Sequence, residues 1–234
     1  MFLNLDQIKK YYNDLNIKCY WLEDSLTLYD INIITITFDM LHKLYPNVVI
    51  NEIGDKYSYD KIRQRCSLNN IKKTIDSYNK FETDKDKIQA RNSLINAYNK
   101  AKSHEITFKI NEFGKDYLET EDYYGQYIYE DKLILFNHQY TDDFGAIMIH
   151  EFAHALASQF GIDENEEIKE IYDTLGCQEI NEQVTEYANK DVEEFIAECF
   201  MNSFTHNKRI YKCNIVEKVR EIIDQEYNLK SYFI

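Results

Sequence analysis

His150 and His154 stand four residues apart in the stretch IMIHEFAHALASQF, with Glu151 directly after the first of them. On an α-helix residues i and i+4 lie on one face, one turn apart, so the two imidazoles can each offer a nitrogen to the same metal ion. Glu151 projects about 100° around the helix from His150, which lets its carboxylate reach a water beside that metal without being a ligand itself. The chemistry such an arrangement serves is the activation of water for hydrolysis. Ile147, Ile149, Phe152, Ala153, Ala155 and Leu156 fill the neighbouring positions, an apolar set that a largely buried helix requires. From average residue usage the pattern arises by accident in roughly one per cent of chains this long. Two histidines and a glutamate buried with no common purpose would also be costly.

A centre of this kind needs a third protein ligand and an open position. The metzincin continuation requires a glycine at position 157 and a histidine at 160, where the chain has Ala157 and Phe160, so that class is excluded. DVEEFIAECF, Asp191 to Phe200, offers Glu194 and Glu198 one turn apart beside an apolar face of Val192, Phe195, Ile196 and Cys199. A ligating imidazole usually donates its second N–H to an acceptor, and a neighbouring carboxylate such as Glu198 suits that role. Glu194 has a competing use, because with Asp191 as helix cap it occupies the third position of a capping box. A carboxylate committed to a metal cannot also reach back fully to the cap amide. Glu193 and Glu198 have the ordinary alternative of a solvated helix face.

With these residues in place the chain resembles a family. HEFAH followed some 40 residues later by YANKDVEEFIAECF is similar to the catalytic domain of the anthrax lethal factor and the clostridial Pro-Pro endopeptidases. In those peptidases a tyrosine precedes the glutamate ligand by seven positions and the ligand opens an E-F-x-A-E segment. Tyr187 and Glu194-Phe195-Ile196-Ala197-Glu198 match both features. The resemblance, specific over about residues 123–204, implies one Zn2+ held by His150, His154 and Glu194. It implies Glu151 as general base, Tyr187 as donor to the oxyanion and Glu198 as the support behind a ligand. It also implies a protein or peptide substrate bound in extended conformation, with YYGQYIY, residues 123–129, as the candidate strand along the cleft. The chain departs from the family in showing no signal peptide and no recognisable specificity loops, so neither secretion nor Pro-Pro cleavage carries over. A second reading from another class is a virion- or secretion-associated module carrying this domain in weakly active or inactive form.

The elements that must position these residues are unevenly legible. A short helix is expected over Leu5–Leu15, and INIITITF, Ile31 to Phe38, and NVVINEI, Asn47 to Ile53, read as strands. From Tyr59 to about Ser103 the apolar period predicts two helices broken near FETDK. EITFKI, Glu105 to Ile110, alternates as a strand. GQYIYEDKLILF, Gly125 to Phe136, reads as two strands joined at Glu130-Asp131 without the usual Asn-Gly signature. Thr141 or Asp142 can cap the histidine-bearing helix and Gly161 can stop it, and beyond Gly161 the chain is helical and acidic. The expected fold is α+β in one domain of 234 residues: an N-terminal extension over about 1–30, an α/β lobe over about 31–160, and a helical lobe over about 161–234. The resemblance makes this a two-lobed zincin-like arrangement, with a small mixed sheet beside the active helix.

Composition narrows the partners. Hydrophobic residues at 44% and charged residues at 29% place the chain in the globular class. A net charge of −14 with no basic cluster argues against nucleic acid. The same charge suits solubility, or steering of cationic substrates. Five cysteines, widely spaced and without C-x-x-C, indicate neither a disulfide framework nor a thiolate metal site, and are expected to be reduced and mostly buried. No window is apolar enough for a membrane span and the N-terminus lacks a basic n-region, so the chain is expected to stay in the cell that makes it unless released by a special route. A monomer is expected. His42, His104, His138 and His206 have no partner at metal spacing and read as structural or surface residues, with His138 near enough to the motif to line the cleft.

Overall fold

The computed structural model describes residues 4–22, 26–78, 85–103, 124–137, 143–205 and 214–232. Among these the chain forms nine α-helices, one 3-10 turn and a four-stranded mixed sheet, an α+β fold. In chain order the elements are α1 (Leu5–Asp14), β1 (Lys18–Tyr20), α2 (Leu28–Leu44), β2 (Glu52–Asp55), α3 (Lys56–Tyr78) and α4 (Lys85–Ser103). Then follow β3 (Gly125–Ile128), β4 (Leu133–Phe136), α5 (Phe144–Phe160), α6 (Glu166–Thr174), α7 (Cys177–Gln183), the 3-10 turn Tyr187–Asn189, α8 (Val192–Thr205) and α9 (Asn214–Ser231). The helix expected at the start, the two helices on either side of FETDK and the paired strands of 125–136 are all present. The expected strand over Glu105–Ile110 lies outside the described residues.

The described part of the first 30 residues packs into the fold. Ile8 and Tyr12 on one face of α1 are fully buried, Tyr12 against Phe38 of α2, and β1 is a strand of the sheet. An amphipathic turn with Leu5, Ile8, Tyr12 and Leu15 on one side has an apolar face to bury, and α2 receives it.

Ile31 to Phe38, expected as a strand, is helix. Thr27 caps α2 by accepting from the Asp30 amide at 3.2 Å. The two polar residues on its buried side satisfy themselves inside the helix, Asn32 donating to Leu28 O at 2.8 Å and Thr35 to Ile31 O at 2.7 Å. Ile31, Ile34, Phe38 and Leu41 recur at helical spacing and are all buried, so burial of that stripe overrides the β-branched composition. The strand expected over Asn47–Ile53 begins only at Glu52. Before it, Val49 has the Gln159 side chain in place of a neighbouring strand: its N–H donates to Gln159 Oε1 at 2.8 Å and its carbonyl accepts from Gln159 Nε2 at 2.9 Å.

The sheet order is β1-β2-β4-β3, with β1, β2 and β4 parallel and β3 antiparallel to β4. In the β3–β4 hairpin Lys132 takes the left-handed conformation, φ 50°, which supplies the backbone turn that Asn-Gly usually provides. Gly125 pairs with Phe136, and the Asn137 amide donates to Tyr124 O at 2.8 Å. By the alternation of antiparallel pairs, the N–H and C=O groups of Gly125 and Tyr127 therefore point away from β4, towards the edge that has no neighbouring strand among the described residues.

Helix α5 is the centre of the molecule, packed against α2 on one side and α8 on another, with β3 and α9 also touching it. Asp143, not Thr141 or Asp142, is its cap, accepting from the Ala146 amide at 2.9 Å. Gly161 at φ 57° ends it, as expected of a glycine that alone adopts this conformation freely, and Lys230 of α9 donates to the exposed Phe160 carbonyl. Among the described residues no helix is long and apolar enough to cross a membrane. The described cysteines form no disulfide: Cys199 is buried and Cys19 half-buried, but Cys177 is exposed, against the expectation of burial.

Candidate metal centre

His150 and His154 come from the middle of α5, and α8 crosses them with Glu194 in its first turn and Glu198 one turn later. Nε2 of His150 lies 3.1 Å from Nε2 of His154 and 3.1 Å from Oε2 of Glu194, and the third edge, His154 Nε2 to Glu194 Oε2, is 3.3 Å. Behind the triangle, Nδ1 of His150 meets Oε1 of Glu198 at 2.9 Å. That contact places a proton on Nδ1, so Nε2 presents its lone pair to the other two donors.

Two imidazole nitrogens and a carboxylate oxygen converging in a buried place are held together by a metal ion or by shared protons. Without a metal a proton takes that part: burial alone would lower the His150 pKa, but its hydrogen bonds to Glu194 and Glu198 outweigh burial and raise it to about 10. Glu194 answers in the opposite sense. Burial would raise it, yet the bonds from His150, His154 and Lys190 hold its carboxyl well below the usual range. The donor set also has the dimensions of a metal site. Ligand bonds of about 2.0–2.1 Å at tetrahedral angles set donor atoms about 3.3–3.4 Å apart, and the observed edges of 3.1, 3.1 and 3.3 Å approach one face of such a site. His150, His154 and Glu194 thus lie close enough to hold a metal ion.

No family model, curated protein or solved structure matches the chain. What the centre can do is therefore read from its own geometry. Glu151 is buried, and its carboxyl pKa is raised, chiefly by burial, with the nearby histidines and a hydrogen bond from the Tyr127 backbone opposing the rise. β3 approaches it closely because residue 125 is glycine: a Cβ there would stand 2.5 Å from Ile147 Cγ2 and 2.7 Å from Glu151 Oε1. Glu151 and His150 line a cleft of ≈ 870 Å³, together with Tyr124 and Gly125 at the head of β3, Ile147, and Tyr187 from the 3-10 turn. The open edge of β3 begins at this cleft.

Glu194 uses its two oxygens differently. Oε2 faces the histidines, while Oε1 accepts from the Tyr187 hydroxyl at 3.1 Å and from Lys190 Nζ at 2.8 Å. Half of the expected capping box is present, since Asp191 accepts from the Glu194 amide at 2.8 Å, and the Glu194 side chain goes to the centre instead of the cap. Tyr187 is 51% exposed, with its ring centroid 6.0 Å from that of His150, so its hydroxyl is accessible from the cleft. Burial and Glu194 raise its pKa, which keeps it a proton donor.

The structure brings together all six residues singled out from the sequence: His150, Glu151, His154, Tyr187, Glu194 and Glu198. Three more belong with them. Lys190 stands four residues before Glu194, a helical ion-pair spacing visible in the sequence. Thr185 donates to Glu198 Oε2 at 2.7 Å and accepts from the Ala188 amide at 3.2 Å, a hydroxyl cap of the turn that carries Tyr187. Gly125 gave only the signal of a glycine inside a strand pattern, which marks close approach of backbone to something else. His42 stacks on Phe38 at 5.6 Å between ring centroids and is structural. His104, His138 and His206 lie outside the described residues.

Proposed function

We propose that the chain is a zinc-dependent endopeptidase of the lethal-factor type, with the sheet and α5 in one lobe, α6–α9 in a second, and the substrate cleft along their junction. The observation that carries this reading is the meeting of His150, His154 and Glu194 donor atoms from sites 44 residues apart, with an unligated, buried Glu151 beside them. Two imidazoles and a carboxylate are a donor set that zinc accepts in catalytic sites. Zinc bound there supplies a Lewis acid that acidifies a water and polarises a carbonyl oxygen.

The protein's own groups account for the remaining steps. Glu151, its basicity raised by burial, takes a proton from the water as the oxygen attacks the scissile carbonyl carbon. It returns that proton to the leaving nitrogen as the C–N bond breaks, and the acid proton of the new carboxyl group follows to the amine, giving one carboxylate and one ammonium group. Tyr187 turns its hydroxyl from Glu194 Oε1 to the oxygen that becomes negative. An extended peptide can add to the edge of β3 through the outward N–H and C=O of Gly125, next to where the Tyr127 N–H donates to Glu151, which sets its carbonyl against the Glu151 side of the cleft. Such a substrate needs neither nucleic acid nor membrane.

The test is Glu151→Gln with metal analysis and a peptide-library assay. The variant should retain zinc and lose roughly 10²–10⁴-fold in rate. An unchanged rate removes Glu151 as the base, and a wild-type protein that takes up no zinc removes the site.

A further inference from the structure

We infer that Lys190 is a positioning residue that keeps Glu194 a one-oxygen ligand and so leaves a coordination position open for water. The inference rests on the metal site proposed above. A carboxylate can engage a cation through one oxygen or two, and a second oxygen would add a fifth donor beside the water, raising the coordination number and crowding the position that a catalytic site must keep free.

The two oxygens of Glu194 are already divided between two sets of partners. Oε2 points into the histidine triangle, and Oε1 is drawn to the other side by Lys190 Nζ at 2.8 Å and the Tyr187 hydroxyl at 3.1 Å. Tyr187 cannot hold Oε1 throughout a reaction in which its hydroxyl turns to the substrate. When it leaves, the charge-assisted bond from Lys190 is what continues to hold Oε1 away from the metal. Among the described residues, the cationic partners of Glu194 are Lys190 and the two histidines.

The backbone fixes Lys190 for this use. Its amide closes the 3-10 turn by donating to Tyr187 O at 3.2 Å, and the turn is tied down where Tyr172 donates to Asn189 O at 2.9 Å. Its ammonium lies 5.3 Å from the Tyr187 ring centroid. The side chain is 58% exposed, so it serves the site more than it serves the core.

The sign of the effect separates this role from simple support. Removing a group that merely steadies a ligand weakens metal binding. Lys190 withdraws charge from Glu194, so its removal should leave metal affinity equal or higher while turnover falls.

The experiment compares the full chain with Lys190→Met, which keeps an unbranched stem, and Lys190→Arg, using Co2+ as the probe metal because its visible absorption weakens as coordination number rises. Lys190→Met should bind Co2+ at least as tightly as wild type, absorb more weakly per ion, and lose roughly 10–100-fold in kcat with KM nearly unchanged. Lys190→Arg should restore the absorption. A Lys190→Met protein with wild-type absorption, whether its affinity is unchanged or reduced, overturns the role of Lys190 alone. A wild-type protein that binds no Co2+ overturns the metal site and this inference with it.

Discussion

Oε1 of Glu198 lies 2.9 Å from Nδ1 of His150, on the side of the ring away from His154 and Glu194. The other oxygen of Glu198 accepts from the Thr185 hydroxyl at 2.7 Å. One carboxylate therefore joins the orientation of a candidate ligand to the start of the turn that carries Tyr187.

Glu198→Gln should weaken metal affinity by roughly 10–100-fold, as loss of an outer-shell partner does. Thr185→Val should shift it in the same direction, and the double variant should be no weaker than Glu198→Gln, because Thr185 acts through Glu198. Competition with a chelator measures all three. Additive losses would show that Thr185 reaches the site by another route.

Gly125→Ala places a methyl where Ile147 Cγ2 and Glu151 Oε1 already stand, 2.5 and 2.7 Å away. Since a misplacement near 1 Å can cost about 10²-fold, kcat/KM should fall by roughly that factor while metal content stays at the wild-type level. A fully active alanine variant would mean that β3 and Glu151 can separate without consequence.

The metal-free protein should be most stable in a narrow acid range. His150 has a raised pKa, so its contribution is complete below its unfolded value of about 6.5 and is lost as pH climbs towards about 10. Glu194 has a depressed pKa, so its contribution is complete above its unfolded value of about 4.3 and is lost as pH falls. Between those two values both contribute. Metal loading replaces the proton on His150, so the melting temperature of the loaded protein should exceed that of the chelator-treated protein by a margin that widens from about pH 6.5 upward. Thermal melts of both forms across this range test it, and a margin that narrows with pH would contradict the shared-cation account of the triangle.

The site was more legible than the frame that holds it. His150, Glu151 and His154 are readable because helical geometry ties letters four apart to one face, and Glu194 and Glu198 because the same rule applies on α8. Choosing Glu194 as the ligand needed the family resemblance, since either carboxylate fits the spacing. Lys190 stands at a visible ion-pair spacing from Glu194 that does not by itself set it apart from a surface lysine, and Thr185 acts across a turn whose path only the fold reveals. α2 departs from the strand that its Ile and Thr content predicts because the buried stripe of Ile31, Ile34, Phe38 and Leu41 decides its conformation. The β-branched run at Val48-Val49 is not a strand for a related reason, the backbone partner of Val49 being the side chain of Gln159.

Helix α9 packs on α5 and α8, and Lys230 near its end donates to the Phe160 carbonyl at the finish of α5. In the order of synthesis, the two histidines emerge well before Glu194, and Lys230 later still. A nascent chain that has exposed only α5 carries the recognisable motif but has no third donor. The donor set is thus incomplete until α8 has been made, and a chain stopped before α8 should hold a metal ion more weakly, through its two histidines alone.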